Sequence, residues 1–200
     1  MKVAYIEGDN LMSRIEELQK NGEEFTNIDK EISLKDSGFP VLTANAYLGA
    51  WGIKEALDKG ADIVVCPRVT DAAVVMGGPA AWRFNWERDD FDKLAGALAA
   101  GHIIECGCQA TGGNYAFFEE VPSFENVGFP IAEIQSDGSF FITKHPGTGG
   151  LVSVGTVTAQ LLYEISSPAY INPDVISHFD TLKIEQIDKD KVFISGCRGS

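Results

Sequence analysis

The run Ile63-Val64-Val65-Cys66 stands between Gly60 and Pro67. Before it, Tyr47, Leu48, Trp51, Ile53 and Leu57 recur at helical spacing, and Gly60 sits where a helix C-terminal cap belongs. A helix that ends in glycine and feeds a β-branched run is the αβ half of a parallel crossover. That commits the front of the chain to an α/β layer. Lys2 to Ile6 reads as a second strand of the same kind, with Glu7-Gly8-Asp9-Asn10 as its exit turn. The two strands are expected to pair in parallel in one sheet.

Leu11, Ile15 and Leu18 mark a helix closed by Asn21-Gly22, and residues 22–38 form a polar, solvated excursion. After Pro67 a turn opens a helical stretch to about Trp82. Asp89-Asp90 then caps a longer helix with Phe91, Leu94, Ala95, Leu98 and Ile103 on one face. Beyond residue 128 the grammar changes. Residues 131–143 read as a hairpin around Asp137-Gly138, a helix follows from about Leu151 to Ile165, and residues 182–195 read as a second hairpin. The expected class is α/β with a mixed sheet, a parallel βαβ-type front half and a more antiparallel, hairpin-containing back half.

Charge narrows the partners. Sixteen Lys and Arg oppose 29 Asp and Glu, a formal charge of -13 over 200 residues. Such a surface repels phosphate backbones and anionic headgroups, so no nucleic acid and no membrane is expected as a partner. The apolar run after Lys2 is cut short by Glu7 and Asp9, which is too little for a signal peptide, and no stretch reaches the ~18 apolar residues of a membrane span. Four cysteines are too few for a disulfide scaffold. The expectation is a cytoplasmic chain with reduced thiols that binds a small molecule.

Three loops carry residues suited to chemistry. Lys144-His145-Pro146-Gly147-Thr148-Gly149-Gly150 follows a strand and precedes a helix. If that helix begins at Gly149 or Gly150, free backbone amides and the positive end of its dipole make an anion site, with Lys144 adding charge and Thr148 a hydroxyl. The glycines alternatively make a tight corner. The segment Glu105 to Asn114 sets a carboxylate, thiols, Thr111 and Asn114 around Gly107, Gly112 and Gly113. There Glu105 is a candidate general acid or base, its pKa raised if it is buried. Cys106-x-Cys108 lacks the second ligand pair that zinc requires, and His102 one turn earlier does not supply it. Arg68-Val69-Thr70-Asp71 follows the second parallel strand, where open α/β sheets bind ligands. Arg68 suits an anion clamp and Asp71 a proton acceptor, or Asp71 is a plain helix cap. Asn45 occupies an equivalent turn. No nucleophile elbow, zinc-helix or dinucleotide signature is present, and neither metal nor cofactor is expected.

Several segments resemble the acyclic terpene utilisation family AtuA. They are Ala44 to Ala50, Gly60 to Val65, Arg68 to Ala72, Ala100 to Gly107, Thr111 to Asn114, Gly128 to Glu133, Lys144 to Gly150 and Gln160 to Ile165. The resemblance runs in order along nearly the whole chain. It implies that residues 1–200 are the central part of an AtuA-like α/β domain, incomplete at both ends, with an exposed apolar face or edge beside Lys2–Ile6. It also implies a place in citronellol and geraniol catabolism, which proceeds through branched acyl-CoA thioesters. Two functions follow as expectations. One is hydratase- or lyase-type chemistry on a branched acyl-CoA or related carboxylate, with Glu105 or Asp71 moving the proton and the Lys144–Gly150 loop holding the anion. The other is a non-catalytic binding or assembly subunit, as a homo-oligomer or with a complementing chain.

Overall fold

The computed structural model describes all residues from Met1 to Ser200. Strand β1 (Val3–Tyr5) pairs in parallel with β2 (Ile63–Val65), Val3 opposite Ile63 and Tyr5 opposite Val65. Between them lie helices α1 (Ile15–Lys20), α2 (Leu34–Ser37) and α3 (Trp51–Asp58). Helix α3 begins four residues later than its apolar spacing suggests, because Leu48 is taken up in a parallel bridge to Val69. Its first turn is instead capped from far away: the Asp174 carboxylate accepts the Ala50 amide at 2.8 Å. Burial holds that carboxyl above the usual carboxylate range, and the hydrogen bond from Ala50 opposes the shift.

The helical stretch after Asp71 starts as α4 (Ala73–Val75) and widens into a π-helical segment, Met76–Trp82. Pro79 inside it has no amide to donate, which accounts for the loss of the ordinary ladder there. Helix α5 (Phe91–Ile104) forms the centre of the molecule. The expectation of one apolar face understates it, since every residue from Leu94 to Ile103 is buried. A helix apolar all round has to be covered all round. Asp90 stands at its N-cap position as expected, but the side chain takes the Glu87 amide and the Lys93 ammonium rather than capping the helix.

Two antiparallel sheets share the covering with α4 and the π-helical segment. Strands β3 (Pro130–Ile134) and β4 (Phe140–Lys144) form the first hairpin. After helix α6 (Val154–Leu161) come β5 (Ala169–Ile171) and β6 (Ile176–His178), then the second hairpin of β7 (Lys183–Asp188) and β8 (Lys191–Ser195), and finally β9 (Arg198–Gly199). The two hairpins merge in the order β3-β4-β8-β7, with Phe140, Ile142, Val192 and Ile194 alternating inward. Strands β5-β6-β9 make a separate three-stranded sheet against α5. The α/β class therefore holds, parallel in front and antiparallel behind, with the two kinds of pairing in separate sheets.

Candidate functional site

The turns that leave β1 and β2 are sewn to the segment before α3. Asn10 bridges Asn45, the Asp9 carboxylate accepts from the Asn45 side-chain amide at 2.7 Å, and it also meets the Arg68 backbone amide at 3.4 Å. These bonds hold the Asp9 carboxyl below its ordinary pKa, the Asn45 bond most of all. Leu48 then exchanges backbone bonds with Arg68 and Thr70, at 3.0 and 2.9 Å. Asn45 thus ties the turns together. Arg68, exposed, lies with its guanidinium carbon 5.3 Å from the Tyr47 ring centroid.

Beyond this stitched floor, Arg68, Asp71 and Glu105 line one cleft of about 440 Å³. Val69, Val74, Val75 and Ile104 give the same cleft an apolar share of its lining. A second lobe of about 430 Å³ shares Thr70 and Asp71 with the first and is completed by Tyr47, Tyr170 and Asn172. Two other depressions are larger: about 1100 Å³ along residues 15–41 and about 650 Å³ between Trp51 and Phe91. Neither lies at the carboxyl ends of the parallel strands, where open α/β sheets bind ligands, so position rather than volume selects the double cleft.

Asp71 and Glu105 are both exposed, where the expectation for the proton-moving group was a buried carboxyl. Cys106 is no nucleophile here. Burial, the hydrogen bond to Glu105 and the charges of Glu105, Glu164 and Asp71 push its thiol up to about 12, which keeps it protonated. Cys108 turns the other way, toward the Val127 carbonyl. His102 packs beneath, its ring 5.0 Å from Tyr170 and 5.8 Å from Phe179, and burial lowers its pKa. It serves as a neutral core side chain. Tyr170 and Asn172 also line the cleft, and they come from the chain about 100 residues after Asp71, outside the segments that carry the family resemblance.

The remaining candidates gather elsewhere, in a packed corner. The helix after the glycines begins only at Val154, capped by Ser153, whose hydroxyl accepts the Thr156 amide while Thr156 returns the bond. The glycines therefore lie before the helix and do not form its first turn. The Gly149, Gly150 and Leu151 amides donate to Asn126, Ser123 and Thr111 carbonyls at 2.7–2.9 Å. A side chain on Gly149 would run into the Glu125 carbonyl, and one on Gly150 into that of Thr111. The close approach that these glycines permit is made by the protein's own backbone. Gly147 answers to its turn, at φ 78°. Lys144 is buried and spent: its ammonium lies 3.2 Å from the Asp190 carboxylate and donates to the Thr148 carbonyl. His145 is exposed, and its carbonyl takes the Thr148 hydroxyl.

The Thr111–Asn114 turn belongs to the same corner. The Thr111 hydroxyl donates to the Gly128 carbonyl at 2.6 Å, Gly112 backs onto Val121, Gly113 onto the Cys108 carbonyl, and the Asn114 side chain reaches Gln160. Three of the four amides from Thr148 to Leu151 are taken by the protein's own carbonyls, the helix does not start at the glycines, and the loop contributes no residue to the cleft. Arg68, Asp71 and Glu105 converge, and the glycine-rich segments brace the fold.

No curated protein and no solved structure matches the chain. A family model does, along residues 1–200, under the description acyclic terpene utilisation family protein AtuA. The match covers the cleft and the packed corner alike, so the resemblance carried by the separate segments is one continuous relationship. This chain belongs to the AtuA family of acyclic terpene utilisation.

Proposed function

We propose that the double cleft is an active site for addition or elimination on a branched acyl thioester or the related carboxylate. One observation carries the reading: Arg68, Asp71 and Glu105 line a single cleft together with Val69, Val74, Val75 and Ile104. The apolar lining suits a branched hydrocarbon chain, and membership of a terpene-utilisation family points to such chains. In the hydration direction, one carboxylate of the pair Asp71 and Glu105 takes a proton from water. The resulting hydroxyl adds to the β-carbon, Arg68 donates to the carbonyl oxygen as charge builds there, and a proton returns to the α-carbon. Elimination runs the same steps backward.

Thermal unfolding with and without branched enoyl thioesters tests this. A ligand at 100 times its Kd stabilises the native state by about 2.7 kcal/mol. Arg68→Ala removes a hydrogen bond from a charged group, about 1.5–3 kcal/mol, so affinity falls roughly ten- to hundredfold. Unchanged binding in that variant would remove Arg68 from the site.

A second reading, as an assembly subunit, draws on a different observation. Val3, Tyr5, Ile63 and Val65 share one face of the parallel pair, and all are exposed, Tyr5 at 72%. Parallel sheets normally have both faces covered, and here helix α3 covers only one. The expected consequence is self-association through this face. Sedimentation at rising concentration should show dimers that Tyr5→Lys abolishes, and a clean monomer throughout would end this reading.

A further inference from the structure

We infer that the double cleft takes its branched acyl ligand as an uncharged carbonyl compound, a thioester or ester, and discriminates against the free acid. The inference rests on the reading of the cleft as the site, and two independent features support it. The first is charge. A single guanidinium, Arg68, stands against Asp71 and Glu105 in the same lobe. The chain as a whole carries -13. A free carboxylate entering this lobe leaves water for like charges, and the general field opposes its approach. An uncharged carbonyl oxygen also accepts from Arg68, in a weaker bond than a carboxylate makes with a guanidinium, but it meets no repulsion from Asp71 and Glu105.

The second feature is shape. The lobe with the apolar lining does not end at Asp71. Thr70 and Asp71 also line the second lobe, which holds Tyr47, Tyr170 and Asn172 and no ionisable carboxyl or amine beyond Asp71. A ligand with its chain against Val74 and Val75 and its carbonyl at Arg68 has a further lobe of about 430 Å³ adjoining at Thr70 and Asp71. A free acid stops at the carboxylate and leaves this lobe unused. A thioester or ester carries an arm there, among neutral polar and aromatic side chains that suit an amide-bearing thiol arm. With the glycine-rich loop paired to its own neighbours, no anion cradle in the cleft asks for phosphates on that arm.

Calorimetric titration of the full chain with matched probes tests this: 3,7-dimethyloct-2-enoic acid and its N-acetylcysteamine thioester. The expected result is a thioester at least about tenfold tighter than the acid, with the gap closing as salt screens the carboxylates. Glu105→Gln should narrow the gap by about threefold, because it removes a like charge from the acid's surroundings. An acid that binds as tightly as the thioester in the unaltered chain overturns the inference and leaves the cleft as the site. Failure of both probes to bind overturns the cleft reading itself.

Discussion

Asp190→Ala is expected to cost about 3–5 kcal/mol of folding stability, a large part of what a domain of this size holds in reserve. Asp190 sits at the tip of the β7–β8 hairpin with a left-handed backbone, φ 52°. One carboxylate oxygen lies 3.2 Å from the Lys144 ammonium, and the other accepts the Val152 amide at 2.9 Å. The Lys144 side chain is only 5% exposed and that of Asp190 19%. Removing the carboxylate strands a buried ammonium that keeps one acceptor, the Thr148 carbonyl. It also frees a backbone amide just ahead of α6, where the hairpin is tied to the helix. Asp190→Asn keeps an acceptor for Val152 and tolerates the left-handed backbone, so its loss should be clearly smaller. Denaturant unfolding of the two variants decides the matter. If alanine costs less than about 1 kcal/mol, the Lys144 ammonium escapes to water and the pair does not hold the corner.

Gly96→Ala should destabilise by about 1–3 kcal/mol, although the same change in an exposed helix would gain close to 1 kcal/mol. Gly96 lies in the middle of α5, directly against the Gly138 carbonyl in the turn of the first hairpin. A methyl group there would overlap that carbonyl. The turn cannot retreat by a rotamer change, because both sides of the contact are backbone. Gly138 is itself held, at φ 86° with the Lys93 Cα behind it. The contact sets the turn of the first hairpin directly against α5, in the stretch where Leu94 and Leu98 are buried. Gly78, by contrast, has room, since a methyl group there meets only the Leu57 side chain at 3.6 Å. Melting curves of both variants give the comparison, with each kcal/mol worth roughly 2–4 °C in a chain of this length. A Gly96→Ala protein that melts no lower than the unaltered chain would show that the hairpin is free to move off the helix.

Both expectations come from contacts that no local pattern announces. What was legible in the chain were signals that act over a few residues. The β-branched run Ile63–Val65, the Asp137-Gly138 turn and the apolar spacing of α5 each specify their own backbone through sterics and nearby burial, and each element forms where those signals stand. The convergence of Arg68, Asp71 and Glu105 was half legible. Two of them sit at a strand exit, and the third is at the end of the helix that packs beside it. Strands β5 and β6 were not legible, because neither carries a β-branched run like that of β2, and Tyr170 and the adjoining Asn172 were missed with them.

The glycine-rich loops show where local reading stops. Gly149 and Gly150 do serve a close backbone approach, and composition alone said that much. Whether the approaching group is a ligand or the chain itself depends on which carbonyls lie within reach once distant segments close. Lys144 is the same case, since its partner Asp190 is 46 positions away in sequence and meets it only across the β4–β8 pairing. Residue types and their spacing decided which elements form and which faces they bury, because those choices are settled within a turn or a strand. The pairing of donors, acceptors and charges was left to the tertiary structure, because a hydrogen bond or ion pair exists only at the few ångströms that chain closure sets.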